Sequence, residues 1–123
     1  MKKNSIFYLP HYIKSLGDAW RGLASTYKSE PSFRLELITT IILFPVALIV
    51  GDTVAKQALL IGSLLIILLA ELVNTAIETI VNRISYYHHH LSGKAKDIGA
   101  AIVLIAIVNA IIIWILILKK YIF

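Results

Sequence analysis

The chain has 123 residues, of which 59% are hydrophobic and only 15% charged, with a mean hydropathy of +0.82. A soluble domain of this length sits nearer half apolar with about a quarter of its residues charged, so the composition is that of an integral membrane protein. The lack of cysteine excludes disulfides and thiolate metal sites, and a scattered net charge of +5 fits an anionic membrane surface better than nucleic acid.

The first element in chain order is amphipathic. Leu9, Ile13, Leu16, Trp20, Leu23 and Tyr27 recur at spacings of four and three, while Lys14, Asp18, Arg21, Ser25 and Lys28 take the other faces. A soluble core helix would show the same stripe. With little else soluble in the chain, the spacing predicts a helix over residues 6–29 lying in the membrane interface. The two N-terminal lysines are followed by no clean apolar core, so this segment is not read as a cleaved signal peptide. Pro31 ends the helix, because the residue before proline resists the helical region. Glu30 therefore stands at the joint with the next element.

Three apolar segments follow, at residues 35–50, 58–81 and 98–118. A membrane-crossing helix needs roughly 20 such residues. The third is long enough, the second is good, and the first is short and carries Pro45, a candidate kink. Residues 51–53, "GDT", make the first connection; residues 82–97, "NRISYYHHHLSGKAKD", make a longer polar one. The expected fold is an all-α membrane protein, a single domain over 1–123 with three transmembrane helices and an N-terminal surface helix. Nine of the twelve basic residues precede the first span or lie in the second connection. Three spans place both groups on one side, which predicts the N-terminus in the cytoplasm and the C-terminus outside. Lys119 and Lys120, on the other side, run against the trend.

The second span holds the unusual chemistry. After thirteen uncharged residues, 58–70, come Glu71, Asn74 and Glu78. Spacings of three and four put them on one helix face, with Glu78 roughly 10 Å along the axis from Glu71. The plain reading is a set of interhelical hydrogen bonds. Two glutamates with no lysine or arginine in the spans to neutralise them favour function. Their separation prevents one ion from binding both directly, so their roles differ. Glu30 and Glu78 come to similar depth near the cytoplasmic edge, where they could share an ion, and Glu71 lies about two turns deeper.

Lys94 and Lys96, with Asp97, stand on the same side just before the third span. Carboxylates for magnesium and lysines for phosphate are the parts of phosphoryl transfer. A deeper carboxylate could take the proton of a lipid hydroxyl. The sequence has neither a P-loop consensus nor the protein-kinase motifs. His88, His89 and His90 are consecutive, about 100° apart on a helix, and suit a single metal ion poorly. Contact with nucleotide is the better reading for one or two of them.

"ELVNTAIETIVNRI" followed by "HLSGKAKDIGAAIVLIAI", with "AWRGL" at 19–23 and "FRLE" at 33–36, closely resembles the prokaryotic diacylglycerol kinases over nearly the whole chain. The resemblance implies a small multi-pass kinase of the bacterial inner membrane, a homotrimer whose active sites are shared between subunits. It phosphorylates the hydroxyl of diacylglycerol to phosphatidic acid with MgATP. It implies Glu71 as catalytic base, Glu30 and Glu78 as ligands of the magnesium that comes with ATP, and Asn74 as support. Lys96, Asp97 and His89 would contact nucleotide, together with His11, Asp18, Tyr87 and His88. Ser32, Phe33, Arg34, Leu35, Glu36, Asn74, Ala100 and Trp114 would line the lipid site with Glu71; Trp114 also reads as an interfacial belt residue. This chain departs from the family pattern at His11, where arginine is common, at Asp18, where tyrosine is, and at Leu35, where glutamine is. A polyprenol kinase of the same family is the near alternative, and a non-enzymatic transporter or assembly subunit the distant one.

Overall fold

The computed structural model describes residues 9–84 and 89–122, and among these every element is an α-helix. Helix α1 spans Leu9–Ser29, α2 Pro31–Val50, α3 Val54–Ile84 and α4 His90–Ile122. The amphipathic helix was expected over 6–29; its described part starts at Leu9, with Pro10 in the first turn, where a missing N–H costs nothing. Tyr87 and His88 lie outside the described residues.

Among the described residues three helices are long and apolar enough to cross a membrane: α2, α3 and α4. Helix α2 runs unbroken through Pro45. Helices α3 and α4, with 31 and 33 residues, reach well past the expected spans. At 1.5 Å per residue they are roughly 46–50 Å long, against a hydrocarbon core of about 30 Å. Most of the polar stretch expected as a connection is therefore helix: residues 82–84 close α3, and residues 90–97 open α4. Hydropathy marks where a helix leaves lipid, and the backbone goes on coiling beyond that point.

Helix α3 is central. It packs most closely on α4 and next on α2, while α1 meets α2. In their most apolar stretches α3 has 28% of its residues buried, against 11% for α2 and α4. Most large apolar side chains thus face outward, as expected where lipid rather than water surrounds the bundle. The stripe of α1 is also uncovered by the chain: Leu9, Ile13, Leu16 and Trp20 are all exposed. Its small residues, Ala19, Gly22 and Thr26, turn toward Leu72, Ala76 and Thr79 of α3 across a groove of about 630 Å³.

The α2–α3 end is held by polar contacts. The Gln57 side-chain amide donates to the carbonyls of Leu48 and Gly51, both at 3.0 Å, closing the C-terminus of α2. Thr53 Oγ1 caps α3 by accepting the Lys56 N–H at 3.1 Å. Asp52 is paired with Lys56 at 3.1 Å and with Lys120, while the Tyr121 hydroxyl donates to the Val50 carbonyl at 3.2 Å. Lys120, which ran against the charge trend, thus has a local acidic partner.

Candidate active site

The joint between α1 and α2 positions Glu30. Glu30 is the one extended residue there, with φ −118° and ψ 102°, followed by Pro31 at the first helical position. Its N–H still donates to the Thr26 carbonyl at 2.9 Å, so the joint is tight. Arg34 braces it from the other side. One guanidinium nitrogen, Nη1, donates to the carbonyls of Tyr27 at 2.7 Å and Lys28 at 3.0 Å. A cation there closes orphan carbonyls at the negative end of α1. Arg34 was expected along the lipid site; its guanidinium turns back onto the surface helix. Phe33 is fully buried, whereas Ser32 and Leu35 are exposed.

Four carboxyl groups gather between this joint and α3. Glu71 is buried, with 7% of its surface exposed, and lies within electrostatic reach of Glu30 and Glu78. Glu36, on α2, is within reach of Glu71, and its Oε1 is buried without a hydrogen-bond partner. Among the described residues no lysine or arginine forms a salt bridge with any of the four. Glu30 accepts one bond at Oε2, from the Ser29 hydroxyl at 3.3 Å. Glu71 is the buried one of the four and the others are half-buried; a carboxylate withdrawn from water without a cation loses solvation and gains no pairing in return. Such an arrangement is suited to a cation brought by a ligand, or to taking up a proton.

Asn74 faces α4 instead. Gly99 is buried against it, and a Cβ added to Gly99 would stand 2.3 Å from Asn74 Oδ1. The missing side chain lets the two backbones close. It seats Gly99 against Asn74, in the middle of the Glu71–Glu78 stretch, and Lys94, Lys96 and Asp97 stand on the turn of α4 just before Gly99. All three charged side chains are exposed, and Ala100, on the next turn, is exposed as well.

The remaining expected residues have other engagements. Asp18 is paired with Lys14 at 3.3 Å and with Arg21 on the exposed side of α1. His11 packs edge-on against Tyr12. His89 gives its Nδ1 to the Leu91 N–H at 3.0 Å. The Trp114 indole donates to Ser63 Oγ at 3.1 Å, and that hydroxyl donates to the Leu60 carbonyl at 2.8 Å. Ser63 stands eight residues before Glu71, roughly 12 Å along the axis, so Trp114 belongs to a deeper level than the carboxyl cluster.

Gly99 and Ser63 were missed by sequence reasoning. An isolated glycine in an otherwise bulky helix signals close backbone approach, and "IGAA" carried that signal. The only hint at Ser63 is one hydroxyl in an apolar run.

Among the described residues no three His, Cys, Asp or Glu side chains form a ready metal cage. Magnesium does not need one, because it is commonly held by one or two carboxylates with substrate phosphates and water completing its shell. Glu30 and Glu78, without cationic partners, fit that role.

A polytopic helical membrane protein with a carboxyl cluster near one end of its bundle and a lysine-bearing helical turn beside it is the class that fold and site define. The family model for prokaryotic diacylglycerol kinase matches residues 17–118. A diacylglycerol kinase of Escherichia coli (strain K12) is 39% identical over 109 residues, covering 89% of each chain. One from Haemophilus influenzae is 42% identical over 106 residues, 86% of this chain and 90% of that protein. An undecaprenol kinase of Bacillus subtilis is 31% identical over 116 residues, 91% of this chain and 92% of that protein. The chain belongs to the prokaryotic diacylglycerol kinase family.

Proposed function

We propose that this protein transfers the γ-phosphoryl group of MgATP to the free hydroxyl of a diacylglycerol, giving phosphatidic acid and ADP. The observation that carries the reading is Glu71: a buried carboxyl with no cationic partner among the described residues, within reach of Glu30 and Glu78. Glu71 accepts the hydroxyl proton while the oxygen bonds to the γ-phosphorus and the bond to the β-phosphate oxygen breaks. Glu30 and Glu78 hold the magnesium that arrives with ATP, which supplies neutralisation of phosphate charge. Lys96 and Asp97 contact the nucleotide, and Asn74 keeps their turn of α4 against α3. Glu36 and the first turns of α2 border the lipid side, and Trp114 lies at acyl-chain depth.

The more similar of the relatives described above carry the name diacylglycerol kinase, which favours diacylglycerol over a polyprenol as the alcohol. The reading extends to a homotrimer with shared sites in the bacterial inner membrane, N-terminus inside. Its support is that one chain leaves Lys94, Lys96 and Asp97 of α4 exposed, and that nine of the twelve basic residues precede the first span or lie in the second connection. The test is transfer from radiolabelled ATP to short-chain diacylglycerol in detergent micelles, with a polyprenol as competitor. Magnesium-dependent labelling of diacylglycerol is expected. Folded protein that labels only the polyprenol, or neither lipid, overturns the proposal.

A further inference from the structure

Helix α4 opens with a histidine in the position that serine, aspartate or asparagine usually fills. His89 is the last residue before the helix. Its Nδ1 accepts the Leu91 N–H at 3.0 Å, and its carbonyl accepts the Gly93 N–H at 2.9 Å. A side-chain acceptor for the second helical N–H, with a carbonyl that starts the helical ladder, is an N-cap.

A histidine can cap in this way only when neutral. Imidazole accepts at one nitrogen, while imidazolium donates at both. Protonation therefore turns the Nδ1 lone pair into an N–H that faces the Leu91 N–H, and sets a positive charge at the positive end of the helix dipole. The first turn of α4 has no acidic residue, and the His90 ring stacks on His89 with centroids 4.7 Å apart and 21° between planes. The charged groups further along α4 are Lys94, Lys96 and Asp97. On α3, the helix packed against it, Glu78 and Arg83 stand at this end. Among the described residues none of these is bonded to the His89 ring.

The cap bears on the site through geometry. The turn carrying Lys94, Lys96 and Asp97 lies between two fixed points, the His89 cap on one side and the Gly99–Asn74 contact on the other. Losing the cap frays α4 from the end toward that turn.

We propose that His89 is a positioning residue that fixes the opening turns of α4, and with them the nucleotide-facing Lys96 and Asp97, only while its imidazole is neutral. The inference rests on reading Lys96 and Asp97 as nucleotide contacts. Protonation of the ring then removes the acceptor for the Leu91 N–H, loosens the opening of α4 and weakens MgATP binding.

The test follows amide hydrogen exchange of Leu91 and Gly93 by NMR in detergent micelles at pH 7.5 and 5.5, together with KM for MgATP. In the unmodified chain, protection at both amides should fall roughly fivefold to tenfold at pH 5.5, the range of one lost cap. KM should rise with it and kcat change less. His89→Asn, a cap that does not titrate, should keep its protection and its KM equal at the two pH values. His89→Leu should show low protection at both. Protection that is flat with pH in the unmodified chain, or that still titrates in His89→Asn, overturns the cap. Protection that titrates as expected while KM stays constant overturns instead the nucleotide role of Lys96 and Asp97.

Discussion

Gly99 and Asn74 are in direct contact across the α3–α4 interface: a Cβ on Gly99 would fall 2.3 Å from Asn74 Oδ1 and 3.3 Å from its Cγ. Asn74 therefore acts at the interface between two helices as much as on its own. Gly99→Ala should force the amide or the helices apart, at a cost of about 1–3 kcal/mol, and lower turnover by displacing the Lys96 turn. Asn74→Ala removes the obstructing amide, so the double variant should be more stable than Gly99→Ala alone. Unfolding midpoints in mixed micelles of increasing SDS content check this; a double variant less stable than both single ones would contradict the contact.

The carboxyl cluster predicts a division of labour. Glu71→Gln should abolish transfer to diacylglycerol while largely sparing MgATP binding. Glu78→Gln should weaken MgATP binding as well. Equilibrium binding of a non-hydrolysable MgATP analogue separates the two roles, and equal affinity in both variants would show that the division is wrong.

Arg34 donates to two carbonyls at the end of α1. Its guanidinium is partly exposed, so Arg34→Ala should cost only about 1 kcal/mol. The local consequence should be larger than the global one: faster amide exchange around residues 27–30 and a raised KM for MgATP, because Glu30 sits at the loosened joint. Arg34→Lys should recover part of both effects, since one ammonium can reach a carbonyl without the fork of the guanidinium.

Trp114 is tied to Ser63 by one indole N–H bond at 3.1 Å. In a Trp20→Phe background, Ser63→Ala should change the emission of Trp114 and lower stability by about 0.6 kcal/mol, the average for such bonds between membrane helices. An unchanged spectrum would show that the indole makes no such bond.

Asp52 predicts behaviour at the opposite end of the bundle. Hydrogen bonds from Lys120 and then Lys56 hold its carboxyl down to about 2. A carboxyl held low in the folded chain contributes stability above its unfolded pKa, near 3.9, and loses it as pH falls through about 2. The difference in unfolding midpoint between the unmodified chain and Asp52→Asn should thus be the same at pH 5 and pH 7.5. It should shrink in high salt, because the cluster is exposed. A difference that closes between pH 7.5 and 5 would contradict the clamp.

By itself the sequence determined the elements and their chemistry. Spacings of three and four marked α1, long uncharged runs marked α2, α3 and α4, and the interval from Glu71 to Glu78 set two carboxylates on one face about 10 Å apart. These features are local, written in residues a few positions apart. What the tertiary structure decided is which side chains meet: Asn74 with Gly99, Trp114 with Ser63, the Arg34 guanidinium with the carbonyls of α1, and Glu36 near Glu71. Those pairings depend on the rotation and shift of one helix against another. In a membrane chain, the faces that meet lipid and the faces that meet protein are almost equally apolar, so hydropathy leaves that rotation open. The helix ends escaped for a related reason. Hydropathy stops at the edge of the lipid, while α3 runs on to Ile84 and α4 starts as early as His90, held by backbone bonds and, at α4, by a histidine cap.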